Sequence, residues 1–239
     1  MFEKLKKKGF QVLALHHAEA ILKHDMAEAA SELEQVLLAV EIPAEELVRG
    51  GGGEGELTQR IRRSLANEHG WRKHNFEIKK IVDGEEKESI SHEIDHVKRF
   101  KTGTFALEIE WNNKDPFFDR DRENFQRLHA QSAISIGVMI TRGSSMQSNM
   151  IGLVERCLQK HGVLGEPEMI DLFKMKDRTR RQRESVQRLI DQQVPYAHAF
   201  ARHFVHDKFG QATTHWSKLE ERINRGVGNP CPLLLIGLP

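Results

Sequence analysis

SISHEIDHVKRFKTGTFALEIEWNNKDPFFDRD, residues 89–121, alternates twice with a period of two. Ile90, His92, Ile94 and His96 alternate with Ser91, Glu93, Asp95 and Val97. Phe105, Leu107, Ile109 and Trp111 alternate with Ala106, Glu108 and Glu110. Both runs have the pattern of half-buried strands. Lys101-Thr102-Gly103-Thr104 between them predicts a tight turn. A turn centred on Lys101 and Thr102 sets Asp95 opposite Glu108, and one centred on Thr102 and Gly103 sets it opposite Glu110. In either register the three carboxylates share a face, with Ile94, Leu107 and Ile109 expected on the other, core-facing side. Crowded carboxylates repel unless a cation lies among them, and hard divalent ions such as Mg²⁺ take oxygen ligands of this kind. A solvated sheet face shows the same alternation, so the spacing alone leaves both meanings open.

His92-Glu93-Ile94-Asp95-His96 also matches H-E-x-x-H, the zinc-peptidase signature. That chemistry requires a helix, where residues i and i+4 meet; on a strand the two imidazoles stand about 13 Å apart. The Asp83-Gly84 turn signal and the β-branched Ile90 and Val97 favour the strand.

The 239 residues, 38% of them hydrophobic, suffice for one large domain or one domain with a helical elaboration. No apolar run approaches the roughly 20 residues of a membrane span, and the basic start Lys4 to Lys8 leads into no signal-peptide core, so no membrane partner and a cytosolic location are expected. Two cysteines, Cys157 and Cys231, are too few for a disulfide framework or a zinc knuckle. The net charge of +1 does not predict a nucleic-acid partner, but the charge is unevenly distributed.

Upstream, helical spacing is read over Phe10–Lys23 and Asp25–Val40, Gly50 to Gly53 marks a flexible loop or hinge, and Leu57–His69 is a helix closed by Gly70. Strand Phe76–Val82 is expected to pair with Ser89–Val97 through a three-residue loop, with Ile78 opposite Ile90 and Phe76 opposite His92. Downstream, Asp119 reads as the N-cap of a helix reaching Gln131, and Ala133–Thr141 as a strand buried on both faces. The order is αβββαβ. Thr141 to Ser145 is then expected to be a polar loop, followed by helices at Asn149–Lys160, Glu168–Lys176, Tyr196–Phe209 and Thr213 to about Arg225. A final strand spans Leu233–Ile236. Lys174–Arg188 is the most basic segment and suits phosphate contact or a solvated helix face.

This order, with an acid on the second strand and E-x-E on the third, resembles the PD-(D/E)XK nuclease superfamily. Glu93-Ile94-Asp95 followed by ALEIEWNNKDPFFDRD at 106–121 is similar to the BglII/BamHI group of type II restriction endonucleases. The core of the match runs from Leu65 to Arg142. The resemblance implies an α/β, restriction-endonuclease-like αβββαβ core with a mixed central sheet and helical elaborations at both ends. It further implies a single nuclease domain over 1–239, made of a helical region 1–56, a catalytic core 57–142 and a DNA-binding and dimerisation region 143–239.

The implied activity is Mg²⁺-dependent, site-specific cleavage of double-stranded DNA at a short palindrome by a cytoplasmic prokaryotic homodimer, with one or two Mg²⁺ ions per site. Asp95 and Glu108 correspond to the metal-binding pair, with the carbonyl of Ile109 as a further ligand. Glu110 stands where most of the superfamily has lysine, which leaves the general base unassigned. Glu68 corresponds to an auxiliary active-site position. Asn112, Asn113 and Lys114 form the loop that approaches DNA, and Arg142, Ser144, Lys176, Arg178, Arg180 and Arg181 are candidate DNA contacts. The alternatives are a repair or junction nuclease of the same fold, a non-catalytic DNA-binding module, and the zinc peptidase.

Overall fold

The computed structural model describes residues 1–49 and 54–239. The expected glycine hinge at Gly50 to Gly53 lies outside the described residues. In chain order the elements are α1 (Glu3–Lys7), β1 (Gln11–Leu15), α2 (Ala18–His24), α3 (Ala27–Leu38), α4 (Ala44–Val48), α5 (Glu56–His69), β2 (Arg72–Val82), β3 (Glu85–Phe100) and β4 (Gly103–Glu110). They continue with α6 (Phe117–Ala130), β5 (Ile136–Arg142), α7 (Ser144–Lys160), α8 (Glu166–Phe173), α9 (Arg180–Ile190), α10 (Tyr196–Lys208), α11 (Trp216–Asn224) and β6 (Leu233–Leu238).

The six strands form one mixed sheet in the order β1-β6-β5-β4-β3-β2. β4, β5 and β6 run parallel, and the hairpin pairs β2–β3 and β3–β4 are antiparallel, so α5-β2-β3-β4-α6-β5 is the expected αβββαβ core. Leu107, Ile109, Val138 and Ile236 cover one face of the sheet together with α1–α3 and α5. Ala106, Met139 and Leu235 face α6 and α11 on the other side. Gly137 allows this second packing, because a Cβ there would lie 2.5 Å from the Phe125 ring of α6. A third cluster joins α4, α7, α8 and α10.

Several sequence expectations are corrected. Phe10–Lys23 is not one helix: Gln11–Leu15 forms β1, an edge strand antiparallel to β6. Its residues pack alternately, Val12 and Ala14 on one face of the sheet and Leu13 and Leu15 on the other. Left-handed His16 and His17 then separate it from α2. α6 starts at Phe117 after Pro116, so Asp119 sits in its first turn and does not cap it. α7 begins at Ser144, within the stretch expected to be a loop. The β2–β3 turn has two residues, Asp83 and Gly84, both with positive φ as the tightest hairpin turns require. The third residue is absorbed by a register shift between Lys80 and Ile81, which restores Ile78 opposite Ile90 and Phe76 opposite His92.

A second register shift matters more. β2 pairs Arg72 with Val97 but His74 with Ile94, so Asp95 and His96 together oppose Lys73 in a β-bulge. The bulge reverses which way the upstream half of β3 faces. Ile94 therefore packs with Val97, Ala106 and Phe118, not with Leu107 and Ile109 as expected. His92 and His96 lie on β3, not on a helix, and line different cavities, which removes the geometry a zinc peptidase needs.

Candidate active site

β3 and β4 turn through Lys101 and Thr102, since Phe100 pairs with Gly103. The ladder ends at His96 and Leu107, so the next positions, Asp95 and Glu108, stand where the two strands part. A cleft of about 470 Å³ opens there, lined by Asp95, Glu108, His92, Glu93, Arg120 and Asn124. Asp95 is half-exposed, with its side chain 51% accessible, whereas Glu108 and Glu110 are buried. A larger cavity of about 980 Å³ reaches Asp95 from the other side, past Arg62, Arg72, Lys73 and Trp111.

α6 returns over the carboxylate face and brings a fourth acid, the buried Asp121. Arg120 spans the group, 2.7 Å from Asp121 and 3.6 Å from Glu110. The Asn113 amide donates to Glu110 Oε2 at 2.6 Å. Across the bulge, Lys73 Nζ lies 2.7 Å from Glu93 and 3.7 Å from Asp95.

Two cations for this many acids leave the buried ones short of positive charge. Burial, followed by the fields of Asp121 and Asp95, pushes Glu108 well above the usual carboxylate range. Burial and its contact with Asp121 push Glu110 up to about 9, and Asp121 is also raised, chiefly by burial. Among the described residues, Asp121 Oδ2 is buried without a donor unless Glu110 holds a proton or a cation enters. The donor set of oxygens alone, with this unmet acceptor, fits a hard divalent ion, which Asp95 and Glu108 can hold.

The sign of the pH effect follows. Between its unfolded value near 4.5 and about 9, Glu110 binds more proton in the folded than in the unfolded chain, so its stabilising contribution is lost as pH rises through that window. In chelator the melting temperature is expected to fall from pH 6 to pH 9, less steeply with Ca²⁺ or in Glu110→Gln. A flat or rising profile in differential scanning calorimetry would contradict the assigned burial.

The residues expected at the site separate into groups. Asp95, Glu108 and Glu110 come together. Glu68 does not join them: it is exposed, accepts a hydrogen bond from Ser64 of its own helix at 2.7 Å, and lines neither cavity. Asn112, Asn113 and Lys114 form the loop leaving β4 beside the acids, and Asn113 is held to Thr214 by two backbone-amide bonds. Arg142 is fully buried and donates to the Thr214 carbonyl and to Thr213 Oγ1, so it fixes that loop from within and has no surface to offer a phosphate. Ser144 opens α7 with its amide bonded to Gln11.

Lys174–Arg188 is not one helix: α8 stops at Phe173, Lys174 is left-handed, and α9 starts at Arg180 behind a Thr179–Gln182 capping box. Arg178 is half-buried over Phe200, Arg180 pairs with Glu184 and Arg183 with Glu166, while Lys176 and Arg181 are exposed.

Asp121, Arg120 and Lys73 were missed. For Asp121 a signal existed, since it lies three residues after Phe118 and four before Phe125, on the apolar stripe of its helix.

A mixed sheet with acids gathered where its antiparallel hairpin opens beside parallel strands defines a restriction-endonuclease-like fold. The family model described as restriction endonuclease BglII/BglIII matches residues 10–238, nearly the whole chain. The chain belongs to that family and is a DNA-hydrolysing enzyme, of a class that generally uses divalent metal ions. A search of the curated proteins gives no match. Among the described residues no helix is long and apolar enough to cross a membrane.

Proposed function

We propose that this enzyme is a Mg²⁺-dependent type II endonuclease that cuts duplex DNA at a short palindromic sequence, as a homodimer, in the cytoplasm. The observation that carries the proposal is the group of under-compensated acids at the parting of β3 and β4. Asp95 and Glu108 hold one or two Mg²⁺ ions, with the Ile109 carbonyl as a further oxygen donor. When bound, Mg²⁺ supplies charge neutralisation at the scissile phosphate and an activated water. Glu110 and Asp121 complete the polar wall behind that site, and Asn113 and Arg120 hold Glu110 in place. A two-fold dimer presents one such site to each strand of a palindrome.

Plasmid DNA of known sequence, incubated with Mg²⁺ with and without chelator, is the direct test. Discrete, Mg²⁺-dependent fragments are expected. A smear independent of sequence would replace the proposal with a repair or junction nuclease of the same fold.

Asn112, Asn113 and Lys114 are assigned to the DNA-facing loop, where an asparagine can read an adenine edge with two hydrogen bonds. Ser144, Lys176, Arg178, Arg180 and Arg181 are assigned to the backbone. Lys176 and Arg181 are exposed and, among the described residues, carry no ion pair, whereas Arg180 is engaged by Glu184, so Lys176→Ala with Arg181→Ala should lower the log–log salt slope of DNA affinity by about one unit per lost phosphate contact. An unchanged slope in filter binding would make this segment a packing or dimer surface.

A further inference from the structure

Away from the carboxylates, the C-terminal half of α7 meets α4. Cys157 in the last turn of α7 and His161, its C-cap, lie four residues apart and so project from the same side of the helix end. Glu45 faces them from α4, with Oε1 3.1 Å from His161 Nε2. One donor atom from each of the three side chains lies within 4.8 Å of the other two.

We propose that Glu45, Cys157 and His161 form a binding site for a thiophilic divalent cation of the Zn²⁺ type, clamping α4 to α7 and separate from the Mg²⁺ chemistry. Bond lengths of about 2.0–2.3 Å to O, N and S put the donors of a tetrahedral site roughly 3.3–3.8 Å apart. Glu45 and His161, 3.1 Å apart, are within about 0.2 Å of that spacing, and the others need to close by no more than about 1.5 Å, within the reach of rotamer adjustment. The set is mixed in a way that selects the metal: a thiolate and an imidazole suit zinc, whereas Mg²⁺ takes oxygen.

Three protein ligands leave a fourth position for water. The competing cation is Lys160, whose Nζ is 3.3 Å from the same Glu45 oxygen. Its side chain is 73% exposed and free to swing into solvent. The Cys157 thiol is buried and, among the described residues, makes no hydrogen bond that metal ligation would have to break. Without a cation, burial and the Glu45 charge raise that thiol to about 11, so uptake of the metal displaces its proton.

Co²⁺ titration of the full chain distinguishes this site from the carboxylate cleft, because only a sulfur ligand gives a near-ultraviolet thiolate-to-cobalt charge-transfer band. The expected result is a band that saturates at one equivalent, disappears on addition of Zn²⁺, and is absent from Cys157→Ser, which retains Cys231. Glu45→Gln and His161→Ala should each weaken Zn²⁺ binding at least about tenfold, since even the partners of metal ligands are worth that much. No band in the wild-type chain, or a band that persists in Cys157→Ser, would overturn the assignment. Absence of the band from the wild-type chain overturns the assignment whether or not a variant folds.

Discussion

Glu108→Gln is expected to slow DNA cleavage in Mg²⁺ at least about 10³-fold while binding of the target in Ca²⁺ persists, since in the proposed assignment it removes a charged metal ligand worth several kcal/mol of transition-state stabilisation. The substitution keeps shape and volume and removes one buried acid whose neighbours, Asp121 and Asp95, oppose its charge. In chelator the variant should therefore melt no lower than the unsubstituted enzyme, and above it at alkaline pH, where the folded chain must otherwise hold Glu108 ionised. That pairing separates lost chemistry from lost folding. Single-turnover cleavage and calorimetry on one preparation give both readings, and undiminished cutting would remove Glu108 from the site.

Arg142→Ala is expected to cost about 3 kcal/mol in urea unfolding and to leave the salt slope of DNA affinity unchanged. Three hydrogen bonds from the guanidinium hold the Thr214 carbonyl and Thr213 Oγ1, and the cation lies 5.1 Å from the Phe209 ring centroid. Removing it strands those acceptors and leaves a void, each worth roughly 1–3 kcal/mol. Burial of the unpaired charge works in the opposite direction, so Arg142→Met should lose less than Arg142→Ala. A surface arginine on a phosphate would behave in reverse, with stability unchanged within about 0.5 kcal/mol and the slope reduced by about one unit.

How much of this was legible in the sequence depended on whether a local pattern carried the information. The β2–β3 and β3–β4 hairpins were legible because alternation and turn residues agree, and Ile78 does face Ile90. The strand Ile136–Arg142 was legible as a short, largely apolar run following a helix. β1 was not: Val12, Leu13 and Leu15 fit a helix that runs on to Ile21 and Leu22 as well as they fit an edge strand, and only the pairing with distant β6 decides.

Within the candidate site, the gathering of Asp95, Glu108 and Glu110 was legible in their alternation, and their roles came from the resemblance. Their surroundings were not, because Arg120 and Asp121 come from a helix whose contact with the sheet depends on Gly137 and Phe125. Arg142 was misread because an arginine after a strand looks solvated until the loop that covers it is in place. Glu68 was transferred by resemblance alone, and its bond to Ser64 directs it along its own helix.

The slip at Asp95 and His96 also divides β3 into two stretches with separate duties. Glu85–Ile94 belongs to the ribbon with β2, whose tip carries the exposed Ile81 and Val82, while His96–Phe100 belongs to the central sheet. Matched additions of two residues per strand would push the tip outward and leave Asp95 aimed as before, whereas a single added residue would turn the whole arm over. An enzyme built this way can change its reach in steps of two without retuning its chemistry.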